Sequence, residues 1–119
     1  MRMLVVDDDA IVLESCRRIL ESAGIDAVLT SSAKDALNVL AEDSFDLMLV
    51  DVIMPEYDGI YLMGSVRERW PRMPVIVMSG YPTPEVMARG RSAGAYYFIA
   101  KPFDPGELLD AIRTVAEKT

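Results

Sequence analysis

The sequence contains no histidine and only one cysteine, and each shortage excludes a kind of chemistry. Without histidine the chain lacks the commonest general base of enzymes, and it cannot carry a phosphohistidine relay of its own. With Cys16 alone, no disulfide can form within the chain. Helical spacing from Val12 and Ile19 predicts a buried thiol at Cys16, which is the usual environment of a free cysteine.

Long apolar runs are also missing. No segment approaches the roughly 20 apolar residues that a membrane-spanning helix needs. The amino-terminal run Met1–Val6 turns acidic at Asp7, whereas a signal peptide needs a longer apolar region followed by small residues. The sequence therefore predicts a cytoplasmic protein without a membrane segment.

Positive charge is scarce, because 12 lysines and arginines face 19 aspartates and glutamates, for a net charge of −7. This balance argues against direct nucleic-acid binding, for which a basic surface is expected. Hydrophobic residues make up 51% of the chain, too many for a disordered segment. A length of 119 residues fits one domain, residues 1–119, that buries roughly two-thirds of its unfolded surface.

Five short apolar runs alternate with five helical patterns along the chain. The runs are Met3–Val6, Ala27–Leu29, Leu47–Val50, Val75–Met78 and Tyr97–Ala100. The predicted helices follow Asp9, begin at Ser31 or Ser32, run from about Gly59 to Trp70, and begin after Thr83 and Asp104. Such alternation with short connections predicts right-handed βαβ units and a parallel sheet. We therefore predict a doubly wound α/β fold of the flavodoxin-like order 2-1-3-4-5, with five flanking helices.

Two of the predicted helices stand out. The third is predicted to turn Ile60, Met63, Val66 and Trp70 inward. The fourth is short, contains Gly90 and has a small apolar face, so it is predicted to be the least stable element.

Polar residues follow four of the predicted strands. They are Asp7-Asp8-Asp9, Asp51, Ser79-Gly80 and Lys101-Pro102. In doubly wound sheets the ligand site lies beyond the carboxyl ends of the strands, so these residues are expected to share one crevice. Each also has an ordinary structural explanation: Asp9 as a helix N-cap, Ser79 as a turn residue and Lys101 as a surface lysine. Asp51 is harder to explain that way, because it follows a buried strand and precedes no immediate helix.

The charges indicate what the crevice would bind. Three neighbouring carboxylates, Asp7, Asp8 and Asp51, repel one another, and at least one is expected to have a raised pKa. A divalent cation and Lys101 would offset them, and carboxylate oxygens suit Mg²⁺. A phosphoryl group on Asp51 would supply further oxygens, and Mg²⁺ with Lys101 would stabilise its charge during transfer. The Ser79 hydroxyl could donate to a phosphoryl oxygen.

Four segments, VVDDD, DVIMPEYDG, VIVMSGY and AYYFIAKPF, resemble in order and spacing the signatures of bacterial response-regulator receiver domains of the chemotaxis-regulator type. The resemblance covers essentially the whole chain. It implies a two-component signalling domain that takes a phosphoryl group from a histidine kinase, a phosphotransfer protein or a small phosphodonor, with Mg²⁺. It implies no enzymatic activity beyond self-phosphorylation and self-dephosphorylation.

The resemblance also implies a role for each matching residue. Asp51 would be the phosphoacceptor, Asp8 a direct metal ligand, Asp7 a ligand acting largely through water, and the Ile53 carbonyl a further ligand. The remaining implied roles are phosphate binding for Ser79, Gly80 and Lys101, switching for Ser79 and Phe98, and a cis bond before Pro102.

The implied readout surface comprises the fourth helix, the fifth strand and the fifth helix. Its partner would be an output domain, another protein or a second copy of the chain. Two alternatives remain at this stage. A haloacid-dehalogenase-type phosphatase would use Asp7, Asp9, Ser79 and Lys101 but leaves Asp51 unexplained. A pseudo-receiver would keep the fold and never be phosphorylated.

Overall fold

A parallel sheet of five strands forms the centre of the fold. The computed structural model describes residues 1–53 and 59–118. The strands in these ranges are β1 (Arg2–Val6), β2 (Asp26–Thr30), β3 (Leu47–Asp51), β4 (Val75–Ser79) and β5 (Tyr97–Ala100). Their order across the sheet is β2-β1-β3-β4-β5, and every neighbouring pair is parallel. The predicted fold class and strand order are confirmed.

In the described part of the chain, five helices cover the two faces of the sheet. They are α1 (Ala10–Ser22), α2 (Ala33–Glu42), α3 (Gly59–Arg69), α4 (Pro84–Ser92) and α5 (Pro105–Lys118). Every residue of β3 and β4 is buried, as expected for central strands covered on both sides. Alternate residues of these strands belong to two separate hydrophobic clusters, one with α2 and α3 and the other with α1 and α5.

Side-chain caps account for where several helices begin. The Asp9 carboxylate accepts the Ile11 N–H at the start of α1, and the Thr83 hydroxyl accepts the Val86 N–H at the start of α4. Asp104 and Glu107 exchange two hydrogen bonds, so α5 begins with a capping box. The structural interpretation of Asp9 as an N-cap is therefore correct.

The inward face of α3 includes the four predicted residues and also Leu62. Leu62, Met63 and Val66 are buried, whereas Ile60 and Trp70 are half-buried and Trp70 lies beyond the end of the helix. The helix begins at Gly59, close to the backbone that follows β3, and Leu62, three residues later, belongs to the core cluster.

Cys16 is fully buried beneath the first strand, as predicted. Burial, and to a smaller degree the nearby charge of Asp7, raises the pKa of its thiol to about 11. The thiol is therefore protonated at neutral pH. Within residues 1–53 and 59–118, no helix is both long enough and apolar enough to cross a bilayer.

Candidate functional site

The carboxyl ends of β1, β3 and β5 bring three charged side chains into direct contact. The ammonium group of Lys101 donates to Asp7 Oδ2 at 2.9 Å and to Asp51 Oδ2 at 2.8 Å. Val6 pairs with Val50 in the sheet, so the residues that follow them, Asp7 and Asp51, emerge side by side. The crevice thus contains a lysine bridging two carboxylates.

Asp7 is completely buried, and its environment disfavours the ionised form. Burial raises the pKa of Asp7, repulsion from Asp51 adds to the increase, and hydrogen bonds from Lys101 and from the Asp9 N–H at 2.9 Å oppose it. A raised pKa in the folded state means that this group favours folding below its ordinary value of 3.8. That contribution is lost as the pH rises through the folded value. At neutral pH an ionised Asp7 therefore costs stability, which a bound cation would offset.

Lys101 is held in its charged form. Burial acts to lower the pKa of its ammonium group, but hydrogen bonds to Asp51 and Asp7, together with their charges, raise it overall. Lys101 is consequently a permanent cation at physiological pH. Its ammonium group is positioned beside Asp51, where charge on an incoming group would need to be stabilised.

Asp51 is 6% exposed and has its carboxylate fixed at both oxygens. Oδ1 accepts the Ile53 N–H at 2.9 Å, while Oδ2 accepts from Lys101. The Ile53 side chain is 53% exposed beside it.

The acidic group meets the chemical requirements of a hard divalent cation. Asp7, Asp8 and Asp51 each offer a carboxylate oxygen, and these oxygens all lie within 4.8 Å of one another. Asp8 is exposed at the mouth of the crevice, whereas the other two are buried. A set made only of carboxylate oxygens fits Mg²⁺, which takes one or two carboxylates together with water and phosphate oxygens. Asp7, Asp8 and Asp51 are therefore the residues that would hold the ion.

Ser79 and Gly80 form the edge of the crevice at the end of β4. The Ser79 hydroxyl is nearly buried and accepts the Tyr81 N–H at 3.0 Å, and the Ser79 carbonyl accepts the Lys101 N–H at 2.8 Å. These bonds tie the end of β4 to the start of the Lys101 loop. Gly80 and the Tyr81 side chain are exposed beside them.

The other predicted site residues lie on or beyond β5. The Lys101–Pro102 peptide bond is cis. Phe98 is half-buried and packs against the hydrophobic cluster beneath α2 and α3. The Met54, Pro55 and Asp58 positions of the DVIMPEYDG segment lie outside the described residues.

Gly59 has a role that the sequence reasoning did not assign. Its N–H donates to the Val52 carbonyl at 3.1 Å. A Cβ at this position would overlap the Asp51 carbonyl oxygen and would lie 2.7 Å from Val52 Cα. The first turn of α3 therefore rests directly on the backbone that carries Asp51. The glycine at the end of DVIMPEYDG could have pointed to this contact. A glycine in a sequence, however, is equally consistent with a turn and with a close approach between two backbone segments.

Comparison with known proteins agrees with this geometry. A response regulator receiver domain model matches residues 3–113. The response regulator MprA of Mycobacterium avium is 35% identical over 119 residues, covering 100% of this chain and 52% of MprA. The response regulator protein FleR of Pseudomonas aeruginosa is 36% identical over 111 residues, covering 93% of this chain and 24% of FleR. The chain thus spans about half or less of these relatives.

A solved structure extends the likeness to three dimensions. The CheY-like response regulator receiver domain protein of Methanospirillum hungatei superposes with a TM-score of 0.93 at 32% identity, covering 98% of this chain and 94% of that one. Because the family model matches residues 3–113, nearly the whole sequence, this chain belongs to the response regulator receiver domain family.

Proposed function

We propose that this receiver domain accepts a phosphoryl group on Asp51 in a Mg²⁺-dependent reaction and uses it to alter a protein-binding face. The observation that carries the proposal is the contact of Asp51 with Lys101 next to Asp7 and Asp8. This arrangement joins an acyl-phosphate acceptor, a fixed cation and a carboxylate metal site in one crevice. The haloacid-dehalogenase alternative is set aside, because the chain belongs to another family and Asp9 serves as a helix cap.

The chain's own groups divide the work of the transfer. A carboxylate oxygen of Asp51 attacks phosphorus, the bond from phosphorus to the donor breaks, and an aspartyl phosphate forms. Lys101 supplies positive charge beside the arriving oxygens, and the Ser79 hydroxyl is available to donate to one of them. Mg²⁺, when held by the acidic residues, would neutralise charge on the transferring group.

Direct labelling of Asp51 tests this function. Incubation with acetyl phosphate and Mg²⁺ is expected to add one phosphoryl group, located by mass spectrometry to Asp51. Asp51→Asn should abolish the added mass, because an amide cannot form the acyl phosphate. Labelling of Asp7 instead would support the phosphatase alternative, and absence of label under these conditions would indicate a pseudo-receiver.

The protein donor must bring the phosphohistidine, because this chain has no histidine. A groove of about 450 Å³ adjoins the site and shares Lys101 with it. Ile11 of α1 lies at the edge of this groove and is 78% exposed, and Phe103, from the loop before α5, lines the groove. An apolar rim continuous with the acceptor crevice suits a histidine kinase or phosphotransfer protein that delivers its group to Asp51.

Ile11→Glu is expected to slow transfer from a phosphorylated kinase or phosphotransfer protein by at least about tenfold, since an apolar contact is replaced by a charge. Transfer from acetyl phosphate should be unchanged, because the small donor does not need the groove. Radiolabel transfer rates measure both. Asn38→Glu on the distant helix α2 is the matched control, and equal slowing with both donors would contradict the docking role of Ile11.

The aspartyl phosphate is expected to be long-lived, with a lifetime of minutes or longer. Ile53 and Tyr81, whose side chains are 53% and 74% exposed, flank the acceptor and offer no carboxylate or amide to orient an attacking water. Ile53→Asn is therefore expected to speed self-dephosphorylation, as measured by loss of radiolabel, while Ile53→Leu should leave it unchanged. Rapid decay of the wild-type phosphoprotein would count against this explanation.

The proposed readout face consists of α4, β5 and α5. Helix α4 is suited to movement, because Gly90 is its only fully buried residue. Tyr96 and Tyr97 are exposed at the start of β5. Two packings of this face separated by a few kcal/mol suffice for a switch, since the phosphoryl group biases them through its different contacts in each. The partner we propose for this face is an output domain, another protein or a second copy of the chain, without direct nucleic-acid contact and in the cytoplasm.

A further inference from the structure

The ring of Phe98 occupies space that a side chain at residue 90 would need. A Cβ built on Gly90 would lie 2.8 Å from Phe98 Cε1 and 3.0 Å from Cζ, closer than carbon atoms normally approach. Gly90 lies in the last turn of α4 and is buried. Glycine at this position lowers the stability of the helix relative to alanine. Its lack of a side chain, however, allows the Phe98 ring to pack against the helix backbone.

Val77, the backbone of Gly90 and the Arg91 guanidinium surround the Phe98 ring on the inner side of β5. We call the space between them the seat of Phe98. Val77 is the register partner of Phe98 on β4, and its Cγ2 lies 3.9 Å from the same Cβ position. The Arg91 guanidinium lies 5.8 Å from the ring centroid, within the range of a cation–π contact. The ring is thus held by a strand side chain, by the helix backbone at Gly90 and by a guanidinium group.

We propose that Gly90 is a positioning residue of the switch, because its missing side chain creates the inward seat of Phe98 against α4. This inference rests on the proposed function of α4, β5 and α5 as the readout face. It means that the size of residue 90 sets the balance between inward and outward Phe98 in this chain.

The position of Gly90 also couples the ring to the helix. Gly90 is the only buried residue of α4, and its contact with Phe98 joins the last turn of that helix to the sheet, while half-buried Val86 packs against the core from the first turn. A ring that leaves the seat therefore removes support from α4, and a displaced helix opens the seat.

Gly90→Ala and Gly64→Ala form a matched pair of tests. Gly64 is an exposed glycine within α3, and a Cβ there would meet no atom within 4 Å. Alanine at residue 64 is expected to raise the folding equilibrium constant about fivefold through helix propensity alone. Alanine at residue 90 should give no such gain, because it must displace the ring.

Nuclear magnetic resonance of the unphosphorylated protein provides the direct measurement. In the wild type, we expect nuclear Overhauser effects from the Phe98 ring to the Gly90 Hα protons and to the Val77 methyl groups. Gly90→Ala should lose the Val77 contacts, and amide exchange across residues 84–92 should become faster. When Phe98 is also replaced by alanine, Gly90→Ala should stabilise the protein as much as Gly64→Ala does. If the effect of Gly90→Ala were confined to the helix, removal of the Phe98 ring would not change it.

Two results would overturn the proposal. One is the absence of Phe98–Gly90 contacts in the wild-type spectra, a test that needs no variant to fold. The other is a Gly90→Ala protein as stabilised as Gly64→Ala with its Phe98–Val77 contacts intact. Labelling of Asp51 by acetyl phosphate is measured separately on each variant and should persist in all of them. Failure of labelling in the wild type would refute the proposed phosphorylation while leaving the packing result interpretable.

Discussion

Asp8→Ala is expected to weaken Mg²⁺ binding by at least about 100-fold, more than the loss of an outer-shell partner typically costs. The reason is that Asp8 is the exposed carboxylate of the acidic group, while Asp7 and Asp51 are already hydrogen-bonded to Lys101. Isothermal calorimetry measures the affinity. A second readout is thermal stability, since Mg²⁺ should raise the melting temperature of the wild type but not of the variant.

Glu117→Ala is the matched control for this prediction. It removes one exposed carboxylate near the end of α5 and so changes the net charge equally. Its Mg²⁺ affinity should equal that of the wild type. If Asp8→Ala also binds Mg²⁺ as tightly as the wild type, Asp8 is not a ligand and the assignment of the cation to this crevice fails. Beryllofluoride, which mimics the phosphoryl group, should tighten Mg²⁺ binding in the wild type by supplying further ligand atoms.

Gly59→Ala is expected to destabilise the fold by about 3 kcal/mol, the upper end of the usual cost of overpacking. The added methyl group would meet the backbone of Asp51 and Val52, which cannot rotate aside as a flexible side chain can. Urea denaturation measures the change. Because the backbone displaced is the one that carries Asp51, labelling by acetyl phosphate is expected to fall as well.

Gly64→Ala again provides the comparison, since it adds the same methyl group to the same helix in open space. It should leave phosphorylation unchanged and stabilise the protein by up to about 1 kcal/mol. Equal stability of the two alanine variants would show that α3 can shift away from β3 without cost. In that case Gly59 would have no structural role at the site.

The fold and the location of the site could be predicted from local patterns. The almost wholly apolar runs at Leu47–Val50 and Val75–Met78 predict central strands, and both are buried throughout. The Asp104 and Glu107 pair predicts the start of α5, where the capping box is found. Since parallel strands end at a common edge, polar residues after several strands must gather there. These conclusions depend on interactions within a few residues or on a general rule of topology.

The tertiary structure decided which atoms meet. The contacts of Lys101 with Asp7 and Asp51 join residues 94 and 50 positions apart, and no local pattern specifies a bond over such a separation. The four residues predicted to face inward from α3 all pack against the core, but the buried Leu62 was not predicted, because helical spacing alone does not fix how a helix is rotated against the sheet.

Gly59 and Gly90 show most clearly the difference between what the sequence predicts and what the tertiary structure decides. By sequence, Gly59 is the end of a motif and Gly90 is a weak point in a helix. In the structure, Gly59 lets α3 rest on the backbone of Asp51, and Gly90 leaves room for the ring of Phe98. The sequence by itself determined the sheet, the helix starts and the edge where charge collects, because these follow from short-range periodicity and capping. The close approaches at these two glycines were decided by the tertiary structure. The atoms that occupy the space of each missing side chain belong to residues that are not its neighbours in the sequence.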